Sequence, residues 1–354
     1  LDLSLYVDVI ICDYNYLFDP LVYFRRYFDN DASRMLALID EAHNLVDRGR
    51  DMYSASLDSA SFEKARKAVR KLDHKKYKNA SKRIAKLFNE LKENSPIGET
   101  VLTNFDAKII RAMEAYLLAT QDINRNHHAY VDEDFRQFFL DINRFLKIYE
   151  FVDDSFTLYV TNTNDKIVKI SIFCLDPSRH LARSLGQVKG RILFSATLSP
   201  HDYYVDIIGG RKEDPVLLLP SPFEADNLLL MIAPTVSIKY KNRADTYKVV
   251  AEYIENFVSH KMGNYLIYAP SHAYLAELVE HLNFPDDYDV FVQLREMDDL
   301  DKERFLERFQ LNPSKTTIGI VVVGGVFGEG IDLVEDRLIG VAVIGVGLPQ
   351  IGFE

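Results

Sequence analysis

At 354 residues the chain is longer than one hydrophobic core usually grows, so two or three domains are expected. Its 47% hydrophobic and 27% charged residues fit a soluble globular protein, and a formal charge of −11 argues against a protein that coats nucleic acid with its whole surface, though not against a locally basic groove. Two cysteines, Cys12 and Cys174, cannot build a disulfide framework or a four-cysteine metal site, and no apolar run is long enough to span a membrane, so a reducing, cytoplasmic setting is expected.

In chain order, residues 7–12 (Val-Asp-Val-Ile-Ile-Cys) predict a mostly apolar strand, with 13–20 as its exit. A second strand, 35–39, runs directly into Asp40-Glu41-Ala42-His43. Residues 61–95 are Lys-rich with a helical period: Phe62, Ala65, Val69 and Leu72 mark one stripe, and Ile84, Leu87, Phe88 and Leu91 another. Asn94-Ser95-Pro96-Ile97-Gly98 breaks that pattern. Helices are predicted again over 104–119 and 131–151, then two strands, 156–161 and 167–174, around a turn containing Asn164-Asp165. Residues 50–185 therefore predict an inserted, mainly helical module.

Strand-like 191–194 restores the α/β texture and ends in Ser195-Ala196-Thr197-Leu198. Residues 220–236, with several prolines, predict a crossing between domains. Beyond them, strands at 265–268, 289–293, 318–323 and 340–344 alternate with helices at 243–259, 271–282 and 300–310, which predicts a parallel sheet.

Asp40 and Glu41 are adjacent carboxylates at the carboxyl end of a strand, where open α/β sheets bind ligands. Metal-assisted phosphoryl transfer needs one carboxylate to hold hydrated Mg2+ and another group to orient and deprotonate water; Asp40 suits the first task and Glu41 the second. His43 is placed to relay nucleotide state. The competing reading is a solvated acidic helix start. Ser195 and Thr197 serve either as coupling hydroxyls or as a capped turn. Gly324, Gly325, Gly328 and Gly330, with Glu329 and Asp332, make either a nucleotide-sensing loop or a tight turn. Tyr14, Asn15 and Tyr16 suit stacking and hydrogen bonding to single-stranded DNA, or burial at a domain interface. The basic run from Lys64 to Lys78 either lines a nucleic-acid path or is a solvated helix face. His127-His128 has no metal partners in the sequence and is read as structural or surface.

Taken in order, these motifs resemble the XPD/DinG-like (Rad3-related) superfamily 2 DNA helicases. Asp40-Glu41-Ala42-His43 matches their DEAH box, and the phrase 7–20 around Asn15-Tyr16-Leu17 resembles the segment that precedes it. Ser195-Ala196-Thr197-Leu198 is similar to their Ser-Ala-Thr motif, residues 265–270 to the opening of the second motor domain, and Gly328-Glu329-Gly330-Ile331-Asp332 to a late motif touching nucleotide and DNA; Gly347-Leu348-Pro349, before Gln350, also fits. The resemblance implies two RecA-like parallel-sheet domains, both incomplete in this chain: 1–49 and 186–219 in the first, 220–354 in the second, and an arch at 50–185. It implies ATP and Mg2+ as cofactors, with Asp40 holding the metal through water and Glu41 activating the hydrolytic water. His43, Ser195, Thr197, Gly328, Glu329, Gly330 and Asp332 would couple ATP to motion, and Tyr14, Asn15, Tyr16 and Ser271 would contact DNA. The implied partners are single-stranded DNA and forked duplex, with 5′-to-3′ polarity, in repair or replication support, in bacterial cytosol or nucleoid rather than a nucleus. No Gly-x-x-x-x-Gly-Lys-Ser/Thr phosphate loop occurs in the chain. The resemblance places that loop, and any [4Fe-4S] cluster, upstream, and the final arginine motif downstream, so the 354-residue chain alone is expected to be inactive. Two other readings stay open: a DNA-binding scaffold or regulatory subunit with a degenerate motor, and a nuclease-associated nucleotide hydrolase.

Overall fold

The computed structural model describes residues 4, 6–24, 27–28, 35–103, 106–126, 131–163, 167–328 and 330–345. The chain forms two compact units that divide between Leu218 and Leu219.

Among the described residues, the first unit contains two sheets. After a one-turn helix, α1 (Asn15–Phe18), strand β1 (Leu36–Ile39) leads through the acidic box into α2 (Leu45–Met52). Then follow β2 (Ala55–Asp58), α3 (Ser59–Ala68), α4 (Lys75–Asn94), β3 (Gly98–Val101), α5 (Ala107–Asn126), α6 (Glu133–Tyr149), β4 (Phe156–Asn162), β5 (Val168–Cys174) and α7 (Ser178–Leu185). Strand β6 (Gly190–Leu193) returns beside β1 in parallel, and α8 (His201–Ile208) follows. The helices start where the sequence supplies caps: Asp58 accepts from Ser61 N at 2.8 Å and Asp132 from Phe135 N at 2.9 Å. One apolar face of each helix fills a common core, in which Phe62, Phe88, Tyr116 and Phe138 meet ring to ring.

Two expectations change here. Residues 7–12 form no strand: Val9 is 75% and Ile11 97% exposed, and no neighbouring strand among the described residues pairs with them. Apolar character alone does not make a strand when its amides have no ladder to join. The inserted region carries a four-stranded antiparallel sheet, ordered β2-β5-β4-β3, rather than two strands. The two additional strands are four residues long and each has a polar, outward-facing alternate, so they carry little hydrophobic signal. The turn residues Asn164-Asp165 and the pair His127-His128 lie outside the described residues.

The second unit is an α/β domain: α9 (Arg243–Ser259), β7 (Asn264–Ala269), α10 (His272–Val279), β8 (Asp289–Val292), α11 (Asp299–Glu307), β9 (Thr317–Val322) and β10 (Gly340–Val343). Its four strands are parallel in the order β10-β7-β9-β8. The central β9 is buried at every position, as a strand covered on both faces must be, while edge strand β10 alternates with exposed residues. The parallel arrangement agrees with the alternation of strands and helices in the sequence.

One side chain ties the helical module to the segment around the acidic box. From α6, Arg144 donates to the carbonyls of Asp51, Met52 and Ser54, which end α2, and reaches the buried carboxylate of Asp19 at 3.5 Å. Free helix-end carbonyls and a buried carboxylate both demand partners. Replacing Arg144 by Met keeps the aliphatic stem and takes a charged donor from all four acceptors; the Asp51 carbonyl and the Asp19 carboxylate each keep one bond, from the Ser54 and Leu21 amides. A loss of about 3 kcal/mol of unfolding free energy is expected in a denaturant titration; a loss under ~0.5 kcal/mol would show that water replaces the guanidinium at no cost.

Candidate active site

Parallel pairing of β1 with β6 sets Ile39 opposite Leu193. Beyond the strands two more backbone bonds continue the ladder: Phe194 N donates to the Ile39 carbonyl, and Ala42 N to the Phe194 carbonyl, both at 3.0 Å. Glu41, just before the bonded Ala42, and Ser195, just after Phe194, therefore arrive side by side. The Ser195 hydroxyl donates to Glu41 Oε2 at 3.1 Å, and His43 Nδ1 lies 2.7 Å from Ser195 Oγ and 3.3 Å from Glu41 Oε2. A carboxylate only accepts, so the serine proton goes to Glu41. Ser195 Oγ in turn accepts from an Nδ1-protonated His43. Thr197 closes the set: its amide donates to Ser195 Oγ at 3.2 Å, and its hydroxyl lies 3.3 Å away. Glu41, His43, Ser195 and Thr197 thus form one polar cluster at the carboxyl end of a parallel strand pair.

Glu41 sits in the left-handed region, at φ 44° and ψ 44°. A residue with a side chain costs on the order of 1–2 kcal/mol there, so something must hold it. Two contacts do. Asp40 Oδ1 accepts the Glu41 amide at 2.8 Å. The Tyr14 hydroxyl donates to the Asp40 carbonyl at 2.5 Å, with the Glu41 carbonyl at 3.1 Å as a second acceptor. Burial and the neighbouring Asp40 and Glu41 charges raise the Tyr14 pKa above the usual phenol value, which keeps this donor protonated. Tyr14 is itself held by its own turn: Asp13 accepts the Asn15 amide at 3.0 Å and pairs with Arg48 of α2 at 3.0 Å. Neither contact was legible in the sequence: the Arg48–Asp13 pair joins residues 35 positions apart, and the Tyr14 hydroxyl bonds backbone carbonyls, which leave no residue signature.

The other expected residues lie as follows. Asn15 opens α1, and Tyr16, 39% exposed, stacks on Phe24 with ring centroids 4.5 Å apart. In the second unit, Ser271 caps α10 by accepting from Tyr274 N at 3.2 Å. The loop after β9 is built from successive turns, with Gly325 N bonded to the Val322 carbonyl and Gly328 N to the Gly325 carbonyl. Gly324 and Gly330 adopt φ of +72° and +69°, which accounts for glycine at both. The turn takes up the Gly325 and Gly328 amides, and Asp332 is exposed. Gln293, absent from the sequence reading, supports this loop: its buried side chain accepts from Val322 N at 2.8 Å. Glu329, residues 347–349 and Gln350 lie outside the described residues.

Among the described residues no three His, Cys, Asp or Glu side chains converge on a metal site. An exposed Asp40 at a strand end still suits Mg2+, which keeps most of its waters and often takes only one or two protein carboxylates. The cysteines do not suit an iron–sulfur cluster: there are two, Cys12 exposed and Cys174 buried, and burial pushes the Cys174 thiol up to about 12, away from the thiolate form a cluster requires.

The DEAD_2 family model matches residues 3–62, and the model described as Helicase C-terminal domain matches residues 254–353. The chain is 25% identical over 363 residues to the ATP-dependent DNA helicase XPD of Sulfolobus acidocaldarius, covering 98% of this chain and 60% of that protein. It is 28% identical over 102 residues to the Fanconi anemia group J protein homolog of Gallus gallus, covering 27% of this chain and 8% of that one. Two solved structures share the fold. One, described as XPD_Helicase, has a TM-score of 0.55 at 19% identity and covers 99% of this chain and 60% of its own. The other, S. tokodaii Xpd4, scores 0.53 at 16% identity and covers 87% of this chain and 62% of its own. Two stretches of the chain thus match helicase-related family models, and over most of its length the chain is similar to XPD helicases in sequence and in its α/β fold. The chain spans about three-fifths of the Sulfolobus relative's length, 60%.

The Tyr14 contact separates two roles. If the hydroxyl holds the acidic loop, Tyr14→Phe lowers the unfolding free energy by about 1 kcal/mol, the worth of one hydrogen bond, and speeds amide exchange at Glu41 and Ala42. Unchanged stability and exchange would show that the hydroxyl does not hold the loop and leave Tyr14 to contact a ligand instead.

Proposed function

We propose that the complete protein is an ATP-dependent DNA helicase that translocates 5′ to 3′ along single-stranded DNA and opens forked duplex in repair or replication support, in the cytoplasm. In this reading, residues 1–49 and 186–219 belong to a first motor domain, 50–185 form an arch, and 220–354 belong to a second motor domain. The observation that carries the chemistry is the Glu41 carboxylate, oriented by the Ser195 hydroxyl and backed by His43.

Glu41 takes a proton from water as that water's oxygen attacks the γ-phosphorus and the bond to the bridging oxygen of ADP breaks. Ser195 occupies Oε2, which turns the second carboxylate oxygen toward the water. Asp40 would hold Mg2+ through water, and the ion would neutralise charge building on the transferred phosphoryl group. His43 and Thr197 share the Ser195 hydroxyl, so a shift in either changes the orientation of Glu41; this is the proposed coupling between hydrolysis and movement. Gly328, Glu329, Gly330 and Asp332 would carry the same signal in the second motor domain, and Asn15, Tyr16 and Ser271 would touch the strand. A [4Fe-4S] cluster, if the complete protein holds one, uses cysteines other than Cys12 and Cys174. The Gly-x-x-x-x-Gly-Lys-Ser/Thr motif does not occur in residues 1–354, so turnover is expected of the complete protein and not of this stretch by itself.

Glu41→Gln in the complete protein tests the assignment. Gln keeps the shape and still accepts from Ser195, but it cannot take a proton. ATP and single-stranded DNA binding are expected to persist, while the hydrolysis rate falls about 10²–10⁴-fold and unwinding stops. Normal turnover in the variant would remove Glu41 as the base. Wild-type hydrolysis without unwinding on either a 5′- or a 3′-tailed substrate would favour a translocase, remodeller or nuclease partner, and a 3′-tail preference would reverse the polarity.

A further inference from the structure

The chain carries a net charge of −11, yet eleven Lys and Arg fall between Lys64 and Lys86 with Asp73 the only carboxylate in that interval. Much of this charge is gathered on one face of α4. Tyr77, Ala80, Ser81, Ile84, Leu87 and Phe88 are buried in the core. The opposite, solvent-exposed face carries Lys75, Lys76, Lys78, Lys82, Arg83 and Lys86.

That placement works against the helix. Lys75, Lys76 and Lys78 occupy the first turn, which holds no acidic residue and where the helix dipole disfavours cations. Lys78, Lys82 and Lys86 repeat at four-residue spacing, so like charges stand next to one another along the face. Two of the six have weak exposed partners, Lys78 with Asp73 at 2.6 Å and Lys86 with Glu90 at 3.6 Å. Lys75, Lys76, Lys82 and Arg83 form no ion pair among the described residues. A rigid row of cations, about 16 Å long from Lys75 to Lys86 at 1.5 Å per residue, is complementary to a regular array of anions.

We propose that this face of α4 binds the phosphate backbone of duplex DNA, outside the motor and independently of base sequence. The inference rests on the nucleic-acid reading above and adds the double-stranded part of the substrate to it. Three features favour a duplex. Sites for single strands combine cations with aromatic platforms for the bases, and this face has none, because Tyr77 and Phe88 point into the core. A helix fixed along its length suits phosphates fixed by base pairing. A membrane surface is disfavoured, because the apolar side of α4 is already occupied by the core.

The test compares the complete protein with the variant Lys75→Gln/Lys76→Gln/Lys82→Gln/Arg83→Gln. Three probes are titrated across salt concentrations: a blunt duplex, a single-stranded oligonucleotide of mixed sequence, and poly-glutamate. The variant is expected to bind the duplex at least tenfold more weakly at ~0.1 M salt, and the slope of log K against log salt to flatten by about 3–4, at roughly 0.9 per phosphate contact. Single-stranded DNA binding is expected to stay within about twofold, as is ATPase stimulation by it, since no residue of the active cluster is altered. The thermal midpoint should not fall, because charge repulsion is relieved; the matching Lys→Arg variant at 75, 76 and 82 should keep duplex affinity. Unchanged duplex binding in the Gln variant overturns the proposal, as does equal loss of both DNA forms. Loss of poly-glutamate binding with duplex binding intact overturns it in favour of an acidic polypeptide. A wild-type protein that binds neither DNA form overturns the helicase reading itself, whereas single-stranded DNA binding without duplex binding overturns only the ridge.

Discussion

The parallel register of β1 and β6 is the constraint on which the rest of the site depends. Ile39 opposite Leu193, continued by the Phe194 and Ala42 backbone bonds, delivers Glu41 and Ser195 to each other across 154 positions of sequence. A one-residue slip of either strand would turn its side chain away from the other and dissolve the cluster. The left-handed Glu41 tightens the requirement: an unfavourable backbone geometry persists only where its surroundings over-determine it, and here the Asp40 carboxylate, the Tyr14 hydroxyl and the β6 backbone all bear on it.

An insertion of more than a hundred residues between paired strands threatens that register unless its ends are pinned together. They are. Strand β2, at the module's entrance, pairs antiparallel with β5, at its exit, with Ala55 opposite Ile172. Ser54 reinforces the join by donating to the Arg50 carbonyl at 2.6 Å and accepting from Cys174 N at 3.0 Å. The module can therefore vary in length while the chain leaves and re-enters at adjacent points, because loop length costs little once the ends are fixed. Arg144 adds a polar bond from inside the module to the end of α2, joining the helical core to the elements that carry the acidic box.

Much of this architecture was legible in the sequence, and the failures share a cause. Helix α9 and the strands around Tyr265 and Ile318 could be read because each is long or apolar enough to impose its own period. Strands β2 and β3 could not: four residues with Ser56, Asp58 or Glu99 as alternates become strands only because β5 and β4 offer free edges. The reverse error occurred at residues 7–12, where local apolarity promised a strand and no pairing edge followed. At the site, the types of Asp40, Glu41, His43, Ser195 and Thr197 gave their candidacy, but their convergence is a property of the sheet. Tyr14 shows the limit most clearly: its ring suggested stacking on a base, and nothing in the sequence announced that its hydroxyl bonds two backbone carbonyls of the acidic loop.

In the proposed hydrolysis, Ser195 acts through Glu41 rather than alongside it. A double-mutant cycle on ATP hydrolysis in the complete protein, with saturating ATP and single-stranded DNA, measures this directly. Ser195→Ala alone should slow turnover by disordering the carboxylate. Combined with Glu41→Gln it should slow turnover no further than Glu41→Gln does, because the group it orients has lost its chemistry. Effects that multiply across the two sites would contradict the account and leave Ser195 with a function separate from Glu41.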